Sequence, residues 1–540
     1  MHIEPIRLNS NNKFLQDYKK QSDELMKYFD YLPYDKDVYT QRVQDLKERT
    51  FDRDGLANVL KTLNKRWNGS NATFQNIEML KNEESVVVIG GQQAGLLSGP
   101  LYTIHKIISI IQFAKEQEQK LNIPVIPVFW IAGEDHDYDE VNHVFLADHL
   151  KWNKVVLDNQ GSEKASVSHR NWNKQEAQRW LDEVFHFLDE TAYTKDLYAR
   201  LVSFLEKSVT LVDFFANFIH DLFKDSGIVL IDSGDALVRK LESRYFQELI
   251  QQQSPISEGV YTALNQLRQK GYPISVDVEA NDGHLFFHNQ NERILLKREN
   301  QDWVGKNYEY QLSEAEILEI AHSNPEKLSN NVVTRPIMQE KLFPTLAFLG
   351  GPSEVAYWSI LKPAFHSVAI KMPPVLPRVS ITFMERKVQK LLNKYGISAS
   401  SAIEYGISKE KQNWIAQQAN PPVSLLGEQL KSVIAEAHQP IRSYAKTVQD
   451  DLGMYAEKNL QYLFDHVDQL THRIEKQIAG KYEINLKEYD YIQLHVRPQN
   501  GLQERIWNII YFLNHYGDSI ISELTTNQIK VNDQHYIVYI

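Results

Sequence analysis

The apolar residues of this chain cluster into short continuous runs that predict strands of a buried parallel sheet. One run covers residues 86–89 and ends at a glycine pair, and another covers residues 124–133 and ends at a series of charged residues. Uninterrupted runs of this length are typical of strands that are covered on both faces. From about Leu101 the apolar spacing becomes helical, so the first run predicts a strand–loop–helix unit.

Two later runs repeat this arrangement. Residues 227–232 end in a carboxylate, and residues 346–349 lead into a second glycine pair and a helix start. Between residues 271 and 297 the alternation of apolar and polar residues predicts an antiparallel meander, with its turn at Asp282-Gly283. Because the carboxyl ends of parallel strands meet at one edge of a sheet, we expect the loops after the apolar runs to form one ligand-binding crevice.

After residue 379 the pattern changes to long helices. Apolar residues step by threes and fours between charged ones, as in the series Leu460, Leu463, Val467, Leu470 and Ile474. This heptad spacing predicts an antiparallel coiled-coil hairpin over roughly residues 380–490. One hairpin leaves an apolar seam uncovered, so we expect a second copy of the chain to cover it and form a homodimer. An intramolecular layer is the alternative.

These patterns predict three parts of the chain. Residues 1–379 are expected to form an α/β core with N-terminal helices and with insertions at about 151–225 and 255–330. Residues 380–490 are expected to form the helical domain, and residues 491–540 to return to the core. The proline-rich stretch at residues 371–378 marks the main boundary.

The composition narrows the function classes. The chain has 540 residues, of which 42% are hydrophobic and 24% charged, and it has no cysteine. The absence of cysteine excludes disulfides, a thiolate zinc site and a cysteine nucleophile. The net charge of -11 argues against a nucleic-acid partner. No signal-peptide pattern and no apolar run of about 20 residues is present, so we expect a cytoplasmic protein without a membrane partner.

The loop after the first strand is a candidate phosphate site. Its glycines Gly90, Gly91 and Gly95 would let the backbone approach a ligand closely, and the N–H groups that open the next helix suit an anion. The same loop presents the polar side chains of Gln92 and Gln93. It matches neither the dinucleotide fingerprint nor the Walker pattern, and a plain tight turn is the alternative.

The second loop begins with Glu134, Asp135 and His136, the ionisable groups nearest the strand end. At that position both pKa tuning and metal binding become feasible. The acidic residues that follow are more typical of the first turn of a helix. A metal-dependent hydrolase that uses Asp135, His136, Asp137 and His143 as ligands is therefore an alternative interpretation.

Polar residues near the other strands complete the candidate set. Arg335 lies in an apolar, proline-containing context and is a natural clamp for a carboxylate or phosphate, with a buried ion pair as the alternative. Asp232 closes its strand and could meet a ribose or substrate hydroxyl, or cap the next helix. The last loop adds further candidates, which are Gly350, Gly351, Glu354 and Tyr357.

Five long blocks, in order over essentially the whole chain, carry a family resemblance: GGQQAGLLSGPLYTIHK, FWIAGEDHDYDEVNH, VVTRPIMQEKLFPTLAFLGGPSEVAYW, LPRVSITFMERK and PQNGLQERIWNIIYFLNHYG. Together they resemble the bacillithiol-biosynthesis cysteine-adding enzymes, the BshC family. The resemblance implies a ligase that attaches L-cysteine to the amine of glucosaminyl malate. It also implies a Rossmann-like core with connecting-peptide insertions and a coiled coil associated with dimers.

The resemblance also implies roles for residues. Thr103-Ile104-His105-Lys106 would take the place of the signature that binds ATP phosphates in nucleotidyl transferases. ATP is therefore the expected co-substrate, with ADP or AMP as product, and we expect no metal beyond Mg²⁺ carried by the nucleotide. The residues expected to bind nucleotide or phosphate are Gly90, Gly91, Gly95, Thr103, Asp232, Gly350 and Gly351.

The chemistry bounds the remaining assignments. Amide formation from a carboxylate is uphill in water, so the cysteine carboxyl must first be activated as an adenylate or acyl phosphate. We assign His105 and Lys106 to offset charge on the phosphate, and Glu134, Asp135 or His136 to deprotonate the sugar amine. Substrate contacts are expected from Gln92, Gln93, Arg335, Glu354 and Tyr357, with Arg335 on a malate carboxylate. A non-catalytic coiled-coil scaffold is a further alternative.

Overall fold

The structure is a computed structural model that describes residues 1–9, 12–158, 165–171, 173–289, 292–527, 529–532 and 534–540. Its strands are β1 His2–Ile6, β2 Val86–Gln92, β3 Val125–Ile131, β4 His143–Asp148, β5 Lys151–Val156, β6 Val229–Asp232, β7 Asp282–Asn289, β8 Glu292–Glu299, β9 Asp302–Gly305, β10 Gln311–Ser313, β11 Leu328–Asn330, β12 Thr345–Gly350, β13 Val375–Pro377, β14 Ser380–Met384 and β15 His535–Tyr539.

The α-helices are α1 Lys13–Lys19, α2 Asp23–Met26, α3 Val38–Lys47, α4 Arg53–Arg66, α5 Asn71–Met79, α6 Tyr102–Leu121, α7 Tyr138–Val141, α8 Lys174–His186, α9 Thr194–Lys207, α10 Leu211–Leu222, α11 Ala236–Gln251, α12 Gln253–Gln269, α13 Glu314–Ser323, α14 Thr334–Leu342, α15 Pro352–Trp358, α16 Lys362–Ser367, α17 Arg386–Tyr395, α18 Ala399–Tyr405, α19 Ser408–Ala416, α20 Val423–Val448, α21 Asp450–Lys481, α22 Glu483–Val496, α23 Ile509–Tyr516 and α24 Ser519–Thr526. Among the described residues, no helix combines the length and apolar character needed to cross a bilayer.

The chain forms two compact units. The first joins Met1–Thr382 with Glu504–Val538, and the second joins Phe383–Gln503 with Tyr539–Ile540. The candidate site described below lies entirely in the first unit.

A five-stranded parallel sheet forms the centre of the first unit. Its strand order is β13-β12-β2-β3-β6, and each neighbouring pair runs parallel. The seven residues of β3 are all buried, as the apolar run predicts. The chain passes from β2 to β3 and β6 on one side and later places β12 and β13 on the other. The sheet therefore has a topological switch point between β2 and β12, and the predicted α/β class is confirmed.

The glycine pair at residues 90–91 belongs to a strand and not to the loop after it. Strand β2 continues through both glycines to Gln92. A Cβ atom on Gly90 would lie 2.5 Å from the carbonyl oxygen of Leu349, and one on Gly91 would lie 2.6 Å from the carbonyl oxygen of Trp130. The prediction that this pair opens the phosphate loop is therefore corrected, because these glycines allow close approach of the neighbouring strands.

The loop between β2 and α6 is held by the C-terminal part of the first unit. A Cβ on Gly95 would lie 2.7 Å from the Cα of Gly99, so the loop closes tightly on itself. The amide of Asn508 donates hydrogen bonds to the carbonyls of Leu97 at 3.0 Å and Gly99 at 2.7 Å. These contacts define the position from which α6 starts.

An antiparallel sheet, with strand order β10-β9-β8-β7-β11, is inserted between β6 and β12. The antiparallel prediction is confirmed for β7 and β8, but its first arm is wrong because residues 272–280 form no strand. The turn predicted at Asp282-Gly283 is also wrong because both residues belong to β7. A Cβ on Gly283 would lie 2.7 Å from the Leu296 carbonyl oxygen, so close packing within the sheet explains this glycine. Strands β7 and β8 pair up to Asn289 and Glu292, and the connection at residues 290–291 lies outside the described residues.

The second unit contains the predicted helical hairpin. Helices α20 and α21 are joined by a single residue, Gln449. Ion pairs connect Lys431 to Asp468 and, closer to the turn, Arg442 to Glu457, so the two helices are antiparallel. The long pair covers residues 423–481, which is narrower than the predicted range, because three shorter helices fill most of residues 386–416.

The predicted heptad series divides into two groups on α21. Leu460 and Val467 are buried, with 7% and 6% of their surface exposed. Leu463, Leu470 and Ile474 are exposed by 37%, 55% and 41%. The hairpin therefore leaves an apolar stripe on its surface within the described residues, as the heptad pattern predicts.

Candidate active site

A buried ion pair spans the switch point between β2 and β12. Lys106, one turn into α6, donates from Nζ to the carboxylate of Glu354 on α15 at 2.5 Å. The same ammonium donates to the Gly91 carbonyl at 2.5 Å and to Oε1 of Gln92 at 2.9 Å. Lys106 is 1% exposed, and burial lowers its pKa although Glu354 partly opposes that shift. The structure thus brings four predicted site residues together.

Glu354 is fixed by the local geometry of its helix. It is the third residue of α15, and its carboxylate accepts a hydrogen bond from the backbone N–H of Gly351 at 2.7 Å. This side-chain contact satisfies one backbone donor at the start of the helix. Gly351 is therefore the N-cap of α15, whereas Gly350 ends β12, and the carboxylate at this cap also reaches Lys106.

Arg335 lies in the first turn of α14 and points to the same helix α15. Its guanidinium donates to the hydroxyl of Tyr357 at 2.5 Å. Burial alone would lower the pKa of Arg335, but the nearby Tyr357, Glu354 and Glu134 outweigh it and raise that pKa. Its Nε atom is buried and has no hydrogen-bond partner within the described structure. Arg335 is thus a permanently charged group with donor capacity left for an anion.

Glu134 enters a buried charge cluster at the end of β3. It accepts a hydrogen bond from Arg239 and another from the backbone N–H of Asn330 at 3.2 Å. Arg239 also donates to Glu242 at 2.6 Å. Burial raises the pKa of Glu242 to about 7, against the opposing effect of Arg239. Because Glu134 is 3% exposed and committed to Arg239, it is a poor choice for removing a substrate proton.

Asp135 and His136 are more open than Glu134 and meet an arginine from the inserted sheet. Asp135 accepts from the amide of Gln93 at 2.8 Å. Arg293 on β8 donates from one nitrogen to Asp135 at 3.3 Å and to Nδ1 of His136 at 3.2 Å. Burial raises the pKa of Asp135, but Arg293 and the bond from Gln93 outweigh it and leave that pKa lowered.

Asp232 closes β6 but is not the cap of the next helix. Its carboxylate accepts from the hydroxyl of Ser168 at 2.8 Å and from the backbone N–H of Gly234 at 2.9 Å. The cap of α11 is instead Asp235, which accepts from the N–H of Leu237. Asp232 is 5% exposed, and burial raises its pKa to about 7. The capping alternative for Asp232 is therefore excluded.

His105 lies in a different environment from its neighbour Lys106. Its Nδ1 is 2.8 Å from the carboxylate of Glu504, which also accepts two hydrogen bonds from Arg378 at 2.8 and 2.9 Å. Burial lowers the pKa of His105, partly opposed by Glu504. His105 is 0% exposed and Thr103 is 1% exposed. Because both side chains are buried, His105 and Thr103 are not accessible to a phosphate in this structure, in contrast to the prediction.

Two site arginines escaped the sequence prediction. Arg239 lies in the first turn of α11, and Arg293 is the second residue of the inserted strand β8. Arg239 lies seven residues beyond the end of β6, and Arg293 belongs to a strand outside the parallel sheet, whereas the strand-end candidates were chosen from the residues directly after an apolar run. Only the packing of the inserted sheet against the ends of β3 and β6 shows that these two guanidinium groups meet Glu134 and Asp135.

The predicted metal-ligand set is only partly assembled. Asp135, His136 and Asp137 offer ligand atoms that lie within 4.8 Å of one another. His143 is not part of that group; its Nδ1 lies 3.2 Å from Oδ1 of Asn142. The guanidinium of Arg293 already occupies the space between Asp135 and His136, and its charge opposes a cation there. The contacts therefore favour a hydrogen-bonded arrangement over a metal centre.

Comparison with known proteins gives a match over the whole chain. The family model described as "Bacillithiol biosynthesis BshC, N-terminal Rossmann-like domain" matches residues 1–379. The model described as "Bacillithiol biosynthesis BshC, C-terminal coiled-coil domain" matches residues 381–540.

Curated relatives agree with this match. A protein of Oceanobacillus iheyensis named "Putative cysteine ligase BshC" is 40% identical over 547 residues and covers 100% of both chains. A protein of the same name from Bacillus cereus is 38% identical over 522 residues and covers 97% of each chain. Among solved structures, one from Campylobacter jejuni titled "putative arginyl t-RNA synthetase" aligns over 89% of this chain and 100% of that chain. Its identity is 9% and its TM-score 0.24, and it carries no argument.

Proposed function

This chain belongs to the bacillithiol biosynthesis BshC family, and we propose that it is the ligase that joins L-cysteine to the amine of glucosaminyl malate. The observation that carries the proposal is the family match over both domains together with the charged switch point. In open α/β sheets the crevice at such a point is where ligands bind. Here it holds an ammonium, a carboxylate and a guanidinium, supplied by Lys106, Glu354 and Arg335.

These three charged groups suit both proposed substrates, because glucosaminyl malate carries carboxylates and cysteine carries an ammonium group. Arg335 has an unpaired buried donor at Nε and forms the natural contact for a carboxylate of the malate group. Glu354, whose side chain is 20% exposed, supplies the negative charge that an ammonium group of cysteine requires. Gln92 and Tyr357 flank these charges through their bonds to Lys106 and Arg335.

The reaction needs activation of the cysteine carboxyl, and ATP is the proposed co-substrate. After activation, the amine nitrogen of glucosaminyl malate attacks the carbonyl carbon and a C–N bond forms. The C–O bond to the departing phosphate or AMP then breaks, and the amine loses a proton. Lys106 would offset charge on the phosphate if Glu354 turns from it toward the substrate ammonium. The nucleotide contacts predicted for Gly95 and Asp232 remain part of this proposal.

Assembly as a homodimer belongs to the same proposal. The exposed apolar stripe of Leu463, Leu470 and Ile474 on α21 supports it. A second copy of the hairpin offers an apolar stripe of the same kind, as a two-fold interface requires. The predicted cytoplasmic location is likewise proposed, from the role of the family in bacillithiol biosynthesis.

The deciding experiment is incubation of the purified protein with glucosaminyl malate, L-cysteine and ATP. Mass spectrometry should show bacillithiol, together with AMP if the intermediate is an adenylate or ADP if it is an acyl phosphate. Omission of ATP is the control and should stop product formation. A protein that binds the substrates and forms no amide under any of these conditions would favour the scaffold interpretation.

A further inference from the structure

The contact between Arg293 and His136 determines which imidazole nitrogen carries the hydrogen. The guanidinium nitrogen lies 3.2 Å from Nδ1 of His136. A guanidinium has donors only, so Nδ1 must accept this hydrogen bond and cannot carry a hydrogen. In the neutral ring the hydrogen then lies on Nε2.

Arg293 is itself held firmly enough to impose this arrangement. Its Nε donates to Ser329 at 3.2 Å, and a second terminal nitrogen donates to the Asn330 carbonyl at 2.8 Å. Its guanidinium carbon lies 3.7 Å from the ring centre of Phe286. Arg293 is 8% exposed. With its planar fork fixed on every side, the arginine presents one nitrogen to His136 in a defined direction.

The other side of the imidazole is partly exposed to solvent. The side chain of His136 is 30% exposed. Its Nε2 lies 3.7 Å from the carboxylate of Asp137, which is beyond hydrogen-bond distance. Asp135, on the opposite side, is fixed by Gln93 and by the backbone N–H of His136 itself at 2.8 Å. His136 therefore offers an N–H donor at the carboxyl end of β3.

We propose that His136 donates a hydrogen bond from Nε2 to the carbonyl oxygen of the activated cysteine, with Arg293 as the positioning residue. The inference rests on the proposed function. When the amine nitrogen forms the C–N bond, the carbonyl electron pair moves to that oxygen, and the donor stabilises the charge. When the tetrahedral intermediate collapses, the C–O bond to the phosphate breaks and the amine proton leaves to solvent. The hydrogen on Nε2 of His136 stays there throughout.

This assignment replaces the prediction that His136 removes the amine proton. A general base needs an unoccupied lone pair, and the lone pair on Nδ1 is engaged by Arg293. Neutral imidazole as a donor to a carbonyl oxygen is an established catalytic arrangement. The two roles predict opposite results for the same substitutions.

The first test compares His136→Gln with His136→Ala in the ligation assay. A glutamine amide places an N–H near the position of Nε2 but has no basic nitrogen. If His136 is a donor, His136→Gln should keep the rate within about tenfold, while His136→Ala should lose about 10²–10³-fold, as for removal of one oxyanion donor. Equal loss in both variants, with unchanged thermal midpoints, would overturn the proposal.

The second test reads the hydrogen position directly. The protein has 18 histidines, so the ¹⁵N resonances of His136 are assigned by their absence from His136→Gln. Wild type should show protonated Nε2 and unprotonated Nδ1. Arg293→Lys should give a mixture, whereas Arg298→Lys, on the same strand but bonded to Glu314, should leave the spectrum unchanged.

The two arms separate the inference from the function on which it rests. A hydrogen on Nδ1 in wild type would overturn the proposal whatever the activity. Amide formation by wild type with the expected spectrum and a preserved His136→Gln rate would support it. If wild type forms no amide under any condition, the proposed function fails and the catalytic role of His136 fails with it, while the spectrum still decides the role of Arg293.

Discussion

Replacement of His105 by alanine separates a structural role from a catalytic one. The sequence places His105 in a phosphate-binding signature, whereas the structure encloses it completely against Glu504. We therefore expect His105→Ala to lower stability, and the comparison variant His136→Ala, at a side chain that is 30% exposed, to leave stability nearly unchanged.

The magnitude follows from burial and hydrogen bonding. Removing a fully buried ring leaves a cavity, and truncation of buried side chains of this size costs about 3–5 kcal/mol. The lost bond to Glu504 is partly compensated, because that carboxylate keeps both bonds from Arg378. For a folding unit of about 400 residues, 1 kcal/mol corresponds to roughly 1 °C in the midpoint. His105→Ala should therefore unfold about 3–5 °C lower, and His136→Ala within about 1 °C of wild type.

Differential scanning calorimetry measures the midpoints, and the ligation assay is run on the same samples well below them. Folded His105→Ala should retain amide formation in proportion to its folded fraction. His136→Ala should be folded and slow. If His105→Ala kept the wild-type midpoint and lost all product formation, the structural interpretation of His105 would be refuted.

Three further results are expected. Lys106→Met should reduce amide formation by at least about 10²-fold because the ammonium at the switch point is lost. The control Lys115→Met, at an exposed position on the same helix, should match wild type. Equal rates in the two variants would remove Lys106 from the mechanism. Leu463→Glu combined with Leu470→Glu should halve the particle mass in light scattering without changing the calorimetric midpoint of the first unit. The control Val209→Glu, at an exposed apolar site in the first unit, should leave the mass unchanged. An unaltered mass in the double variant would contradict the hairpin dimer. Burial raises the pKa of Glu504, but Arg378 and His105 outweigh it and hold that pKa far below its ordinary value. The contribution of ionised Glu504 to folding stability is therefore complete above the unfolded pKa of about 4.3. It is lost as pH falls toward the folded pKa. The midpoint difference between wild type and Glu504→Gln should accordingly be constant at neutral pH and shrink below about pH 4, and a difference that grows on acidification would contradict the assigned direction.

Several elements could be predicted because their signals are local. The apolar run at residues 86–89 predicts a covered strand from its side chains alone, and helix α6 follows from the spacing of its isoleucines. The hairpin of α20 and α21 follows from heptads in the same way. Its extent was overestimated because the shorter helices before it share the same charged and apolar composition.

Several candidate residues meet at the switch point, but His105 does not. Glu354 and Tyr357 were chosen because they follow a strand end, whereas Arg335 was chosen for its apolar, proline-containing context and Lys106 from the family resemblance. The structure brings all four to one switch point. His105 was chosen from the same family resemblance as Lys106, yet adjacent residues on a helix point in directions about 100° apart. The neighbour of a crevice residue can therefore be buried against a different layer, here Glu504.

By itself the sequence determined the strand ends, the helical stripes and the family, because each depends on residues close together along the chain or on matching blocks. Only the tertiary structure decided that Gly90 and Gly91 serve strand packing, that Glu134 is committed to Arg239, and that Arg293 engages His136. Those contacts join residues more than 100 positions apart or on neighbouring strands. Their partners are selected by how the layers pack, and no local pattern of apolar and polar residues encodes that choice.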